Sequence, residues 1–199
     1  MNRLATMLAA FVLAPLGAIA LDVGQPAPAF VAHDADGKPV TLASLRGKTV
    51  VLEWTNQGCP FVNHMYASGV MQHLQQTSAA QGVVWLTVIS SAPGQQGYLD
   101  GPGVRAWKGR TGAAPADVVL DPSGALGHAY DARTTPDMFV IDRAGRLVYA
   151  GAIDDRPSTR PQDAKTATNF VVLALQAVGA GRPMSPAMTK SYGCSVKYQ

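Results

Sequence analysis

The sequence predicts one α/β domain, a central mixed sheet with helices on both of its faces. Three observations carry that reading. The segments Thr49–Trp54 and Gly82–Ile89 are β-branched and almost unbroken in their apolar character, as strands covered on both faces are. Between them the apolar positions change to helical spacing, so strand, helix and strand follow one another with short links, the unit of a parallel sheet. Farther on, Met138–Ile141 and Leu147–Ala150 flank the turn Asp142-Arg143-Ala144-Gly145 and read as an antiparallel hairpin.

Taken in order, Gly24-Gln25-Pro26-Ala27-Pro28 is an extended lead-in that refuses a helix. Phe30–His33 and Pro39–Leu42 read as short strands around the turn Asp36-Gly37, and Leu42–Leu45 adds one helical turn before Gly47. After the strand ending at Trp54, Pro60 occupies the helical position that tolerates proline best. Phe61, Met65, Val70 or Met71, and Leu74 then continue one apolar stripe up to the stop at Gly82. Ser91–Asp100 is a Gly/Gln/Pro loop, Pro102–Arg110 a helix, and Val118–Leu120 a short strand closed by Asp121-Pro122-Ser123-Gly124. Asn169–Val178 is a last amphipathic helix stopped by Gly179 and Gly181, and the tail from Arg182 to Gln199 has no helical period.

A length of 199 residues suits a single domain with a core of its own. Residues 1–20 read as a secretory signal: Arg3 precedes an apolar run, and Ala18-Ile19-Ala20 gives the small-x-small pattern of a cleavage site after Ala20. Pro15 and Gly17 break that run, which is short for a bilayer core of ~30 Å. The expected organisation is therefore a signal at 1–20, a domain at 21–181 and a tail at 182–199 carrying Cys194, in a periplasmic or secreted protein. Cleavage leaves 15 basic against 13 acidic residues, a balance too mild and too scattered for nucleic acid, and no later stretch is apolar enough to span a membrane.

Chemistry concentrates in Trp54-Thr55-Asn56-Gln57-Gly58-Cys59-Pro60-Phe61-Val62-Asn63-His64. A thiol where a buried strand passes into a helix meets free backbone N–H groups and the positive end of the helix dipole, and both favour the reactive thiolate. Cys194 is the second of only two cysteines, and an oxidising compartment allows the two to pair. Chain separation does not oppose pairing, because loop-closure entropy grows only logarithmically with length.

The order of elements, the segments Val51-Leu52-Glu53-Trp54 and Cys59-Pro60-Phe61-Val62, the stretch Thr134–Asp142 and the tail Tyr192–Tyr198 resemble the thioredoxin-like superfamily. Among its members the chain is most similar to exported redoxin-domain and peroxiredoxin-like proteins. The resemblance implies a thioredoxin-like fold and an oxidoreductase that exchanges thiols and disulfides, reduces peroxide, or does both. It makes Cys59 the attacking cysteine and Pro136 the cis-proline beside the sulfur, where Thr135-Pro136 with Asn56 and Gly58 would shape the substrate site. Glu53, six residues before Cys59, takes the position of the buried acid that relays protons. The rival reading of Glu53 is a solvated carboxylate at the sheet edge.

Two departures from the pattern stand out. Val62 replaces the second cysteine of a local Cys-x-x-Cys pair, and Thr55, four residues before Cys59, is out of register with the peroxide-orienting threonine of peroxiredoxins. Cys194, in a tail that reads as flexible, is then the resolving thiol, with a permanent structural disulfide as its alternative. No cofactor is implied, since electrons pass through thiols. The expected partners are a disulfide-bearing protein or a peroxide, and an external thiol reductant. A binding module with locked cysteines is a competing function. Copper handling by Cys59, His64 and Met65 is another, as Cu(I) favours sulfur and imidazole; there Met65 is read as core and His64 as half-exposed. Asp154-Asp155 reads as a solvated turn.

Overall fold

The computed structural model describes residues 21–199, so the signal expected at 1–20 lies outside the described residues. The elements are β1 (Val31–Asp34), β2 (Pro39–Thr41), a 3-10 turn (Ala43–Leu45), β3 (Val50–Trp54), α1 (Pro60–Ala67), α2 (Val70–Ala80) and β4 (Val84–Ile89). Then follow α3 (Gly101–Thr111), β5 (Asp117–Leu120), α4 (Ala125–Ala129), β6 (Thr134–Thr135), β7 (Asp137–Ile141) and β8 (Leu147–Gly151). The chain continues with α5 (Pro161–Thr166), α6 (Phe170–Gly179) and β9 (Cys194–Ser195). Seven strands make one sheet in the order β2-β1-β5-β4-β3-β7-β8, while β6 and β9 form a separate pair. The β3–β4 and β4–β5 ladders are parallel and the others antiparallel, so the sheet is mixed as expected.

Strand periodicity explains how this sheet serves two cores. In β3, Val51 joins the cluster that includes Met65, Trp85 and Val171, whereas Val50, Leu52 and Trp54 join Leu86, Val88 and Phe139 on the other face. Successive side chains point to opposite faces, and here both faces are apolar and covered. Glu53 falls on the Val51 side by the same alternation, which directs a carboxylate beneath the α1–α2 face.

Three differences from the sequence reading have physical causes. The single helix expected after Pro60 is two, because Ser68 caps α1 and Gly69 takes the left-handed conformation at φ 80° before α2 begins. The short α4 and α5 were not anticipated, since helices of 5 and 6 residues cannot show a repeating stripe. The tail is not flexible-looking coil: β9 is an antiparallel partner of β6, with Thr134 opposite Ser195 and Thr135 opposite Cys194.

Candidate active site

β3 stops at Trp54, and Asn56 builds the turn into α1. Its Oδ1 accepts from the Gly58 N–H at 2.8 Å, its carbonyl accepts from the Cys59 N–H at 3.0 Å, and its Nδ2 donates to the Gln96 carbonyl at 3.1 Å. The Asn56 side chain is thus spent on holding the loop. Gly58 lies against Gln96, where an added Cβ would stand 2.9 Å from the Gln96 Cγ. Gln96 comes from a loop that the sequence presents only as a connection, and nothing in its local pattern marks it.

Cys59 is the N-cap of α1, with extended backbone at φ −85° and Pro60 immediately after it. Its carbonyl accepts from the Val62 and Asn63 N–H groups at 3.1 and 2.9 Å, the first bonds of the helix. Its thiol donates to the Thr135 carbonyl at 3.0 Å. The Thr135-Pro136 peptide is cis. Across the β6–β9 pair Cys194 stands opposite Thr135, and both its side chain and its backbone N–H reach the Cys59 sulfur. The two thiols are free and in contact.

This contact separates their acidities. Burial works to raise the Cys59 pKa, but hydrogen bonds from the Cys194 and Thr135 side chains and from the Cys194 and Val62 N–H groups outweigh it, and the net value falls below that of an ordinary thiol. Cys194 is pushed up to about 11, first by burial and then by its contact with Cys59. The pair therefore favours thiolate on Cys59 and thiol on Cys194. The sequence places a reactive thiolate at this helix start, yet Cys59 has 0 % exposure, because the tail strand lies over it.

Glu53 is also 0 % exposed, which excludes the solvated-edge reading. Its Oε2 accepts from Trp85 Nε1 at 2.8 Å, Thr87 Oγ1 at 3.0 Å and Gln75 Nε2 at 3.1 Å, while its Oε1 accepts only from the Tyr66 hydroxyl at 3.0 Å. Burial raises its pKa to about 6, against the opposing pull of these four donors. Neither cysteine is among its hydrogen-bond partners.

Two further residues depart from their expected settings. His64 is buried, not half-exposed, and its Nδ1 has no partner. Asp154 is buried too, and accepts from the Tyr192 hydroxyl and the Arg156 N–H. Tyr192, two residues before Cys194, has no signal in the sequence that singles it out; its ring meets Phe61 edge-on at 5.8 Å. Met65 lies in the core, and among the described residues no three His, Cys, Asp or Glu side chains are grouped to hold a metal ion.

Comparison with known proteins bears on the family and the fold. The Redoxin family model matches residues 22–168. The thiol-disulfide oxidoreductase ResA of Bacillus subtilis is 26% identical over 132 residues, which is 66% of this chain and 68% of ResA. Among solved structures, an uncharacterized conserved protein from Geobacillus kaustophilus superposes with a TM-score of 0.76 at 26% identity, covering 90% of this chain and 93% of that one. A hypothetical protein from Sinorhizobium meliloti gives a TM-score of 0.75 at 28% identity, covering 91% and 97%.

Proposed function

Because the chain belongs to the Redoxin family and has its thioredoxin-like fold, we propose that it is an exported thiol–disulfide oxidoreductase working through Cys59 and Cys194. The observation that carries this reading is the contact between two free thiols whose acidities are driven apart at a helix N-terminus. In the proposed cycle the Cys59 thiolate attacks one sulfur of a substrate disulfide. A Cys59–substrate S–S bond forms, and the other substrate sulfur leaves as thiolate and takes a proton. Cys194 then loses its proton and attacks the Cys59 sulfur, forming the Cys59–Cys194 bond and releasing the second substrate sulfur as a thiol. Two electrons and two protons pass to the substrate, and an external thiol reductant restores the pair.

The other assignments follow from the same cycle. Glu53 is the proposed acceptor of the Cys194 proton by way of a bridging water, since neither cysteine bonds it directly, and the atom with acceptor capacity to spare is Oε1, which has one donor where Oε2 has three. Thr135 and Pro136, beside the sulfur, are the proposed substrate contacts, with Asn56 and Gly58 fixing the turn that holds Cys59. A disulfide suits the site better than a peroxide, because Thr55 is absent from the groups around the Cys59 sulfur and its hydroxyl is buried without a partner. Export is supported by the signal pattern at 1–20, and among the described residues no helix is long and apolar enough to cross a membrane.

The test is reduction of a model protein disulfide by wild type, Cys59→Ser and Cys194→Ser. Cys59→Ser is expected to abolish turnover, and Cys194→Ser to accumulate a mixed disulfide on Cys59 visible by intact mass. Equal rates in the three proteins would dismiss the enzyme and leave a binding module.

A further inference from the structure

The Cys59 sulfur is fully buried, yet a sulfur must meet its substrate to react. What covers it is a short segment fastened on both sides of Cys194. On one side the Tyr192 ring packs edge-on against Phe61 and its hydroxyl donates to buried Asp154. On the other, the Val196 N–H donates to the Arg133 carbonyl at 3.0 Å and the Lys197 carbonyl accepts from the Ala92 N–H at 2.9 Å. The Tyr198 ring then stacks on His128 at 4.1 Å, and its hydroxyl donates to the Ala132 carbonyl at 2.7 Å. Between the two tyrosines the strand comes so close to β6 that only glycine fits. Gly193 has φ 131°, and a Cβ there would run into the Thr135 carbonyl oxygen.

We propose that β9, clasped by Tyr192 and Tyr198, is a releasable strap that shuts Cys59 away in the reduced protein, so that external substrate reaches the sulfur only while the strap is off. The inference rests on Cys59 being the nucleophile, and it concerns how that site is regulated. A two-residue strand contributes few ladder bonds, so the clasps rather than the β6–β9 pairing carry most of the docking. The seven-stranded sheet contains no residue of the strap, and Tyr192, Cys194 and Val196 pack on the edges of the two cores as partly buried residues, not inside them. Local opening without global unfolding is therefore the expected route, as in segments that open at the low end of a protein's stability range. The same strap delivers Cys194. Closure after the first attack brings the resolving thiol onto the mixed disulfide, so one movement both admits the substrate and completes the exchange.

The experiment measures iodoacetamide alkylation of Cys59 by intact mass in the full chain. Cys194→Ser serves as the single-thiol parent and is compared with the same protein carrying Tyr198→Ala or Gly193→Ala. Tyr198→Ala removes one clasp, and Gly193→Ala forces β9 off β6 while leaving both tyrosines. Either change is expected to raise the native rate at least tenfold toward the rate of the parent in denaturing urea. A parent that already reacts natively at its unfolded rate, or variants no faster than the parent, would overturn the strap. Should Tyr198→Ala not fold, Gly193→Ala carries the comparison. Amide exchange in the parent adds a second measure: Val196 is expected to exchange far faster than Val51 or Leu52 in β3, and equal protection would overturn local opening. A strap confirmed in a protein without disulfide reductase activity would remove the oxidoreductase reading and leave the strap standing.

Discussion

Replacing Glu53 with glutamine gives a prediction with a definite sign. Glu53 titrates at about 6 in the folded protein against an ordinary 4.5, because burial penalises its charged form. Between those two values the native state holds more of this proton than the unfolded chain. Stability therefore falls as pH rises through that window and levels off above it. A difference of 1.5 units, at about 1.4 kcal/mol per unit, makes the effect about 2 kcal/mol. Asp137 is also raised to about 6 by burial and adds its own slope in the same range. Wild type alone thus cannot isolate Glu53, but the difference from Glu53→Gln can, because Asp137 contributes to both. Urea unfolding of the two proteins at pH 4, 5, 6 and 7 is the assay. Relative to the variant, wild type is expected to lose about 2 kcal/mol between the lowest and highest pH. A difference that is flat across the series would mean that Glu53 has an ordinary pKa, and that its burial does not produce the proton-accepting group assigned to it.

Three other outcomes follow from the geometry. In ¹³Cβ NMR titrations of the reduced protein, Cys59 is expected to ionise below 9 and Cys194 near 11. Cys59→Ser should bring Cys194 back toward 9, and an unmoved Cys194 would deny the contact. Gly69→Ala places a side chain at φ 80° in open space, so its cost is backbone strain alone, about 1 kcal/mol in urea unfolding; no loss would contradict the left-handed break between α1 and α2. Trp85→Phe removes the 2.8 Å donor to Glu53 Oε2, the largest of the effects opposing burial there. It should move the Glu53 titration above 6, and a downward shift would refute that role.

Much of the fold was legible because its central strands are apolar on both faces. The runs ending at Trp54 and Ile89 announce buried parallel strands, and Pro60 after Cys59 announces where a helix starts. Features that depend on distant parts of the chain were not. Thr135 and Cys194 lie 59 residues apart and meet in strands of two residues each, too short for alternation to appear. The burial of Cys59, His64 and Asp154 has the same origin, since segments far along the chain close over them. Glu53 shows the limit from the other direction. Its position in an apolar run hints at burial, but the four donors around it come from α1, α2 and β4, and no local pattern counts them.

The sulfur chemistry is divided between a body and an appendage. The backbone turn that presents Cys59 belongs to β3, α1 and the loop around Gln96, whereas Cys194 arrives on a segment joined to that body through the irregular stretch between α6 and Tyr192. Under the proposed cycle, a single proteolytic nick in that stretch followed by loss of the severed tail would leave a protein able to form mixed disulfides but poorly able to discharge them, a trap for its own substrates in place of a turnover catalyst.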